Sequence, residues 1–181
     1  MDVREAQREI HDVYWGGGIG ALVSAAVWAV STALTATRSE SLGRAALFIG
    51  GAFIFPGTML ALRLLGRRAS MSHENPLGAL ATQIAFTVPA AFPLAFALAL
   101  FRPGWFYPAA LVIVGAHYLP FIFLYGRAHY GVLAGVMAGA GLALGLYRPR
   151  EVALGGWIGA GLFVVFGAYV LMTTRPPAAR A

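Results

Sequence analysis

The polar side chains that could do chemistry are few, and they fall within long apolar segments. His117 lies in the run Gly-Ala-His-Tyr-Leu-Pro, and Gln83 lies in an earlier apolar run. A neutral imidazole can bind a substrate or pass a proton. It can also satisfy a backbone carbonyl that a proline leaves free, a role that needs no ligand. The hydroxyl groups available as companions are those of Thr82, Thr87, Tyr118 and Tyr125.

Three aromatic residues around His117 share one face of a predicted helix. Tyr118, Tyr125 and His129 recur at a spacing close to whole helical turns. Such a face can line a polar cavity, although aromatic stripes also serve helix packing and interface anchoring. The candidate substrate-binding residues are therefore His117, Tyr118, Gln83 and Tyr125.

Several kinds of chemistry find no support in the chain. No Asp or Glu lies in the core of an apolar segment, which argues against a carboxylate proton relay or cation site. Cysteine and the motifs of serine hydrolases and phosphate-binding loops are also missing. We assign no catalytic residue, cofactor or metal, and an enzymatic function is not favoured. The predicted topology places one group of polar residues on the same side of the membrane: His11, Asp12, His73, Glu74, Arg127 and His129. The histidines and carboxylates of this group are types that suit Zn²⁺, but they lack metal-site spacing.

The elements that carry these residues are predicted to be membrane-spanning helices. Hydrophobic residues make up 59% of the 181 residues and charged residues only 11%, whereas soluble domains hold about 25% charged residues. A helix needs about 20 apolar residues to cross the hydrocarbon core. We predict an all-α, polytopic transmembrane bundle that forms a single integral membrane domain over 1–181. Its six spans lie near 14–36, 45–65, 77–100, 105–125, 129–147 and 152–173.

The basic residues predict the orientation of the bundle. All are arginines scattered singly through short segments, which disfavours nucleic acid as a partner. The side of the two termini carries Arg4, Arg8, Arg63, Arg67, Arg68, Arg127, Arg175 and Arg180, and the opposite side carries Arg38, Arg44, Arg102, Arg148 and Arg150. This excess predicts cytoplasmic termini in a bacterial inner membrane. The segment before the first span is either a short interfacial helix or a frayed terminus.

Glycine and proline divide the six spans into two groups. Glycine and alanine stripes mark spans one, five and six, which predicts a closely packed scaffold. Spans two to four contain internal prolines, and these predict helix kinks at Pro56, Pro89, Pro93 and Pro120. The kinked helices either line a small-molecule cavity or are bent only for packing. Aromatic rings at span ends, Tyr107 among them, indicate membrane interfaces.

Three sequence runs carry a resemblance to a known kind of protein. They are GAHYLPFIFLYGRAHY, the helix start Asn75-Pro76-Leu77 and the kink Phe55-Pro56-Gly57. The chain resembles an uncharacterised family of small bacterial six-helix integral membrane proteins of unknown function, which implies a fold but no activity. A stripe on the first span, Ala21, Ala25, Ala29 and Ala33, is similar to the one in substrate-binding subunits of energy-coupling-factor vitamin transporters.

These observations support three hypotheses about function. In the first, the protein binds or passes a small molecule in a cavity between spans two to four. In the second, it is a non-catalytic accessory subunit that docks through its Gly/Ala stripes on a second copy or on another membrane protein. An intramembrane hydrolase is the third. The lipid bilayer is the expected partner in every case.

Overall fold

The computed structural model describes residues 1–67 and 70–174, and over these residues the chain is all-α, as predicted. The order of the helices is α1 (Val3–Val13), α2 (Gly18–Thr37), α3 (Glu40–Leu64), α4 (Gly78–Phe101), α5 (Phe106–His117), α6 (Phe121–Tyr125), α7 (His129–Tyr147) and α8 (Leu154–Thr173). Single 3-10 turns, Trp15–Gly17 and Pro103–Trp105, lead into α2 and α5. Among the described residues, five helices are long and apolar enough to cross a membrane, namely α2, α3, α4, α7 and α8.

The fourth predicted span is not one continuous helix. Where 105–125 was expected, α5 ends at His117 and the five-residue α6 begins at Phe121. Pro120 has no N–H, so it cannot continue the backbone ladder of α5. The Ala116 carbonyl that this proline leaves free accepts the Leu119 N–H at 3.1 Å. With twelve residues, α5 is about 18 Å long, shorter than the roughly 30 Å hydrocarbon core.

The other predicted kink positions lie inside long helices. Pro56 is within α3, and Pro89 and Pro93 are within α4. Both helices are assigned without interruption across their prolines. Of the four predicted kink positions, Pro120 is the one that lies between the end of one helix and the start of another.

The N-terminal segment forms an interfacial-type helix rather than a frayed end. Asp2 and Glu5 make a capping box in which Asp2 Oδ1 accepts the Glu5 N–H at 2.8 Å and Glu5 Oε2 accepts the Asp2 N–H at 3.0 Å. Ala6 and Ile10 are buried against the bundle, while Arg4, Glu5, Arg8 and Asp12 are exposed. The sequence left both alternatives open, and the capped helix is the one observed.

The predicted start of α4 is displaced by a short turn. Asn75 Oδ1 accepts the Leu77 N–H at 2.9 Å, but this bond belongs to the turn, because the N-cap of α4 is Leu77 and has no side-chain cap bond. The regular helix, however, begins only at Gly78. The intervening residues form a turn in which the Gly78 N–H donates to the Asn75 carbonyl at 3.0 Å.

Helix α2 packs between α3 and α8 through close backbone approaches. A Cβ atom placed on Gly43 of α3 would lie 2.7 Å from the Ser31 carbonyl oxygen, and one on Gly167 of α8 would lie 3.0 Å from the Gly18 carbonyl oxygen. Real Cβ atoms rarely come this close to backbone oxygen atoms. Glycine at these positions therefore permits the two helix pairs to pack in contact.

Helix α7 packs mainly on α5, so of the three glycine-rich spans only α2 and α8 pack closely on each other as predicted. A Cβ atom on Gly141 would lie 2.5 Å from the Pro108 carbonyl oxygen, and one on Gly115 would lie 2.9 Å from the Ala134 carbonyl oxygen. The main partner of α7 is thus a helix of the proline-containing group. Contact geometry between individual backbones, rather than shared composition, sets which helices pair.

Candidate functional site

A groove between α4 and α5 contains one of the predicted site residues. Its volume is about 390 Å³, and it opens on the outer surface of the bundle. It is lined by Thr87, Ala91, Val112, Ile113, Ala116, His117 and Pro120. We call it the α4–α5 groove. Its walls are apolar except for the half-buried His117 and for Thr87, one of the hydroxyl groups that the sequence offered as companions.

His117 and Thr87 form a hydrogen-bonded pair whose proton positions follow from the geometry. The Thr87 Oγ1 atom donates to the Ile84 carbonyl oxygen at 2.7 Å and lies 2.8 Å from His117 Nδ1. A hydroxyl group can donate only one hydrogen bond, and here it donates that bond to the Ile84 carbonyl oxygen. The two bonds can form together only in the tautomer in which His117 Nδ1 is the donor in the second. In a neutral imidazole this leaves Nε2 with a free lone pair.

The groove has no counter-charge for a protonated imidazole. None of its lining residues is an acid or an arginine. An uncompensated charge in an apolar environment costs far more than a neutral polar group. The neutral form of His117, with Nε2 as a hydrogen-bond acceptor, is the form that this environment favours.

The other three predicted binding residues do not line the groove. Gln83 is exposed near the start of α4. Tyr118 and Tyr125 are buried in the core, with 9% and 8% of their surface exposed. The structure therefore brings His117 together with Thr87 rather than with Tyr118, Tyr125 or Gln83.

The two tyrosines belong to an aromatic cluster around Tyr130. The ring centroids of Tyr125 and Tyr130 are 4.9 Å apart, and the Tyr118 ring is stacked 6.1 Å from the Tyr130 ring. The Tyr130 hydroxyl donates to the Gly16 carbonyl oxygen in the left-handed turn before α2. A Cβ atom on Gly17 would lie 3.5 Å from the Tyr125 hydroxyl oxygen, so this turn packs against the cluster. These contacts match the packing alternative for the stripe.

A second polar cluster lies in the core at the opposite end of the bundle, and sequence reasoning missed it. The Tyr107 hydroxyl lies 2.7 Å from Ser31 Oγ and 2.8 Å from Thr35 Oγ1. Ser31 Oγ also donates to the Gly43 carbonyl oxygen at 2.8 Å. Tyr107 is 1% exposed, so it is a buried link between α2, α3 and α5 rather than an interface anchor. The available signal was two hydroxyl residues four apart on α2.

Polar residues at the end near the N-terminus hold α1 on the bundle. The Glu9 carboxylate accepts the Ser72 N–H at 2.7 Å, the Ser72 hydroxyl at 3.0 Å and the Asn75 side-chain amide at 2.8 Å. The backbone donor at Ser72 and these side-chain donors lower the pKa of Glu9. Gln7 Nε2 donates to the Phe123 carbonyl oxygen of α6. These bonds connect α1 to the segment before α4 and to α6.

The loop residues with zinc-type side chains do not gather into a site. Over 1–67 and 70–174, no three His, Asp or Glu side chains are placed to hold a metal ion. His11 Nδ1 lies 3.5 Å from Asp12 Oδ1, and this is a pair of sequence neighbours. The described loop residues therefore offer no multidentate metal centre.

The fold and the groove define the class of protein: an all-α protein with several helices long and apolar enough to cross a membrane. The profile of a family described as a family of unknown function (DUF7010) matches residues 3–174. The chain belongs to this family, which confirms the predicted resemblance to an uncharacterised family. No curated protein and no solved structure matches the chain.

Proposed function

We propose that the protein is an integral protein of a bacterial inner membrane that binds a small apolar molecule in the α4–α5 groove. The observation that carries the proposal is the His117–Thr87 pair inside otherwise apolar walls. A polar group in an apolar environment has a cost unless it is hydrogen-bonded. His117 Nδ1 is satisfied by Thr87, and Nε2 remains available to a ligand. Binding sites typically combine apolar walls with a few such polar groups.

The proposal includes six membrane crossings. Residues 105–125, treated as one helical crossing, would extend about 32 Å, which is enough for the hydrocarbon core. Arg102 precedes this segment and Arg127 follows it, so charged residues flank both ends. An irregular break such as 118–120 is acceptable within a membrane where its backbone groups are satisfied, and the Leu119 N–H bond to Ala116 meets this requirement.

The arginine distribution supports cytoplasmic termini. The count of eight arginines against five includes Arg68, Arg175 and Arg180, which lie outside the described residues. An even number of crossings, six, would place the N-terminal and C-terminal segments on one side. His117 lies between Arg102 and Arg127, away from both ends of its crossing. The groove would then face the acyl chains, and a ligand would enter from the lipid.

Binding can be measured with purified protein in lipid nanodiscs. A photoreactive alkyl probe is expected to label residues of α4 and α5, and an excess of the same unlabelled alkyl compound should compete with it. His117→Ala should reduce the labelling. Leu119→Ala is the matched control. Leu119 lies two residues after His117, is 54% exposed and does not line the groove. Labelling spread evenly over all lipid-facing helices, without competition, would disprove a site in this groove.

One observation favours the accessory-subunit hypothesis as a second candidate. On α7, a Cβ atom on Gly135 or Gly139 would meet no atom within 4 Å, so this part of the glycine stripe faces away from the chain's own helices. Small residues on a free helix face allow another helix to approach closely. Gly135→Leu and Gly139→Leu should abolish crosslinked homo-oligomers or co-purifying membrane partners if α7 docks there. Unchanged crosslinking would reject this role for α7.

A further inference from the structure

We infer that the ligand of the α4–α5 groove is a lipid alcohol, whose hydroxyl group donates a hydrogen bond to His117 Nε2 while its chain lies along the apolar wall. This inference rests on the proposed function of the groove. It adds the chemical class of the ligand, which the apolar walls alone do not specify.

The first step is the direction of the hydrogen bonds. Thr87 Oγ1 donates a hydrogen bond to the Ile84 carbonyl oxygen and accepts one from His117 Nδ1. This series of hydrogen bonds ends at His117 Nε2, which has a lone pair and no proton to donate. Ketones, esters and quinones present only lone pairs and would face this nitrogen without a bond. A hydroxyl group supplies the required proton.

The second step is charge. Apart from His117, which is neutral, no acidic or basic side chain lines the groove. A fatty-acid carboxylate, a phosphate headgroup or an ammonium group would lose hydration there without gaining a counter-charge. The ligand must therefore be neutral at the end that reaches His117. Among lipids with a neutral donor, an alcohol places a single hydroxyl group at the end of an apolar chain.

The third step is the shape and setting of the groove. Its volume of about 390 Å³ lies at the lower end of the range for small-molecule sites. Apart from His117 and Thr87, its lining consists of Ala91, Val112, Ile113, Ala116 and Pro120. On α4, Phe86 and Leu94 are exposed apolar side chains close in sequence to the lining residues Thr87 and Ala91. The remainder of a long chain can therefore extend from the groove over lipid-facing surface.

The test compares two probes of equal chain length in nanodiscs that contain the full-length protein. One is hexadecanol with a mid-chain diazirine, and the other is its methyl ether, which keeps the oxygen acceptor but has no proton. A single hydrogen bond predicts about tenfold tighter competition by the alcohol. His117→Phe keeps an aromatic ring and removes the acceptor, so the alcohol should fall to the affinity of the ether. Leu119→Phe is the matched control and should preserve the difference.

The two levels of the proposal fail in different ways. Equal affinity of alcohol and ether in the wild-type protein, with competed labelling of α4 and α5, would overturn the alcohol inference and leave the groove as a binding site. Absence of competed labelling in α4 and α5 by either probe would overturn the proposed function itself. The wild-type ratio decides the first question without relying on any variant, and circular dichroism and gel filtration check that the variants are folded.

Discussion

The buried Tyr107 cluster allows a quantitative test of how the helices are held together. Tyr107→Phe removes one hydroxyl group and leaves the ring, which packs 6.2 Å from the Trp28 ring. The variant therefore tests the polar bonds with little change in packed volume. Ser31 keeps its bond to the Gly43 carbonyl, whereas Thr35 Oγ1 loses its side-chain partner.

The magnitude follows from the two bonds that are lost. Side-chain hydrogen bonds between membrane helices contribute about 0.6 kcal/mol on average and about 1.7 kcal/mol at most. A buried polar group left without a partner costs about 1–3 kcal/mol. Because Tyr107 bonds to both Ser31 and Thr35, we expect the free energy of unfolding to fall by about 1–2 kcal/mol.

The assay is reversible unfolding in mixed detergent micelles, followed by tryptophan fluorescence, since Trp28 lies beside Tyr107. Tyr147→Phe is the control, because Tyr147 is 79% exposed and ends α7. In a double-mutant cycle, Tyr107→Phe and Ser31→Ala should together cost less than the sum of the single changes, because they share a bond. A loss no larger than that of Tyr147→Phe, with additive single changes, would refute the reasoning.

Two further predictions concern other contacts. Gly141→Ala should lower thermal stability in detergent, because the new methyl group would meet the Pro108 carbonyl oxygen. Gly135→Ala should be neutral or stabilising, because Gly135 faces open space and alanine has the higher helix propensity. Equal effects of the two changes would contradict the packing of α7 on α5. The pKa of Glu9 is lowered by the Ser72 N–H and by the Asn75 and Ser72 side chains. The stabilisation of α1 by the Glu9 carboxylate is therefore fully present above the ordinary carboxyl pKa, and it is lost as pH falls through the lowered pKa. A nitroxide label at Arg8→Cys, specific because the chain has no cysteine, should become more mobile at acid pH. In Glu9→Gln this pH dependence should disappear, and persistence of the transition would reject Glu9 as its origin.

The break at Pro120 determines which hydrogen bonds His117 makes. In a continuous helix, the residues after His117 would keep the backbone ladder regular through this position. Here α5 ends at His117. The carbonyl oxygens of Ala116 and Gly115, in its last turn, accept hydrogen bonds from the N–H groups of Leu119 and Tyr118. The imidazole is therefore not needed to bond a carbonyl freed by Pro120. It bonds to Thr87 of the neighbouring helix instead, which places it in the wall of the groove.

The amino-acid sequence predicts the helices well because crossing length and apolar content are local properties. The predicted 129–147 coincides with α7, and 77–100 differs from α4 by one residue at each end. The predicted 45–65 begins five residues after the start of α3. The one predicted span that is not a single helix, 105–125, contains Pro120, whose missing N–H permits either a kink or a full break. The neighbours of that helix decide between these outcomes, and a single-chain pattern does not contain them.

The positions that meet across helices could not be predicted in the same way. The long helices are apolar on all sides, so no amphipathic stripe indicates which face turns inward. Thr87 meets His117 and Tyr107 meets Ser31 because of the rotation of each helix about its axis and backbone approaches that only glycine permits. Tyr118, adjacent to His117, consequently lies in the aromatic core, and the chemistry of the groove depends on a one-residue rotation that hydropathy does not encode.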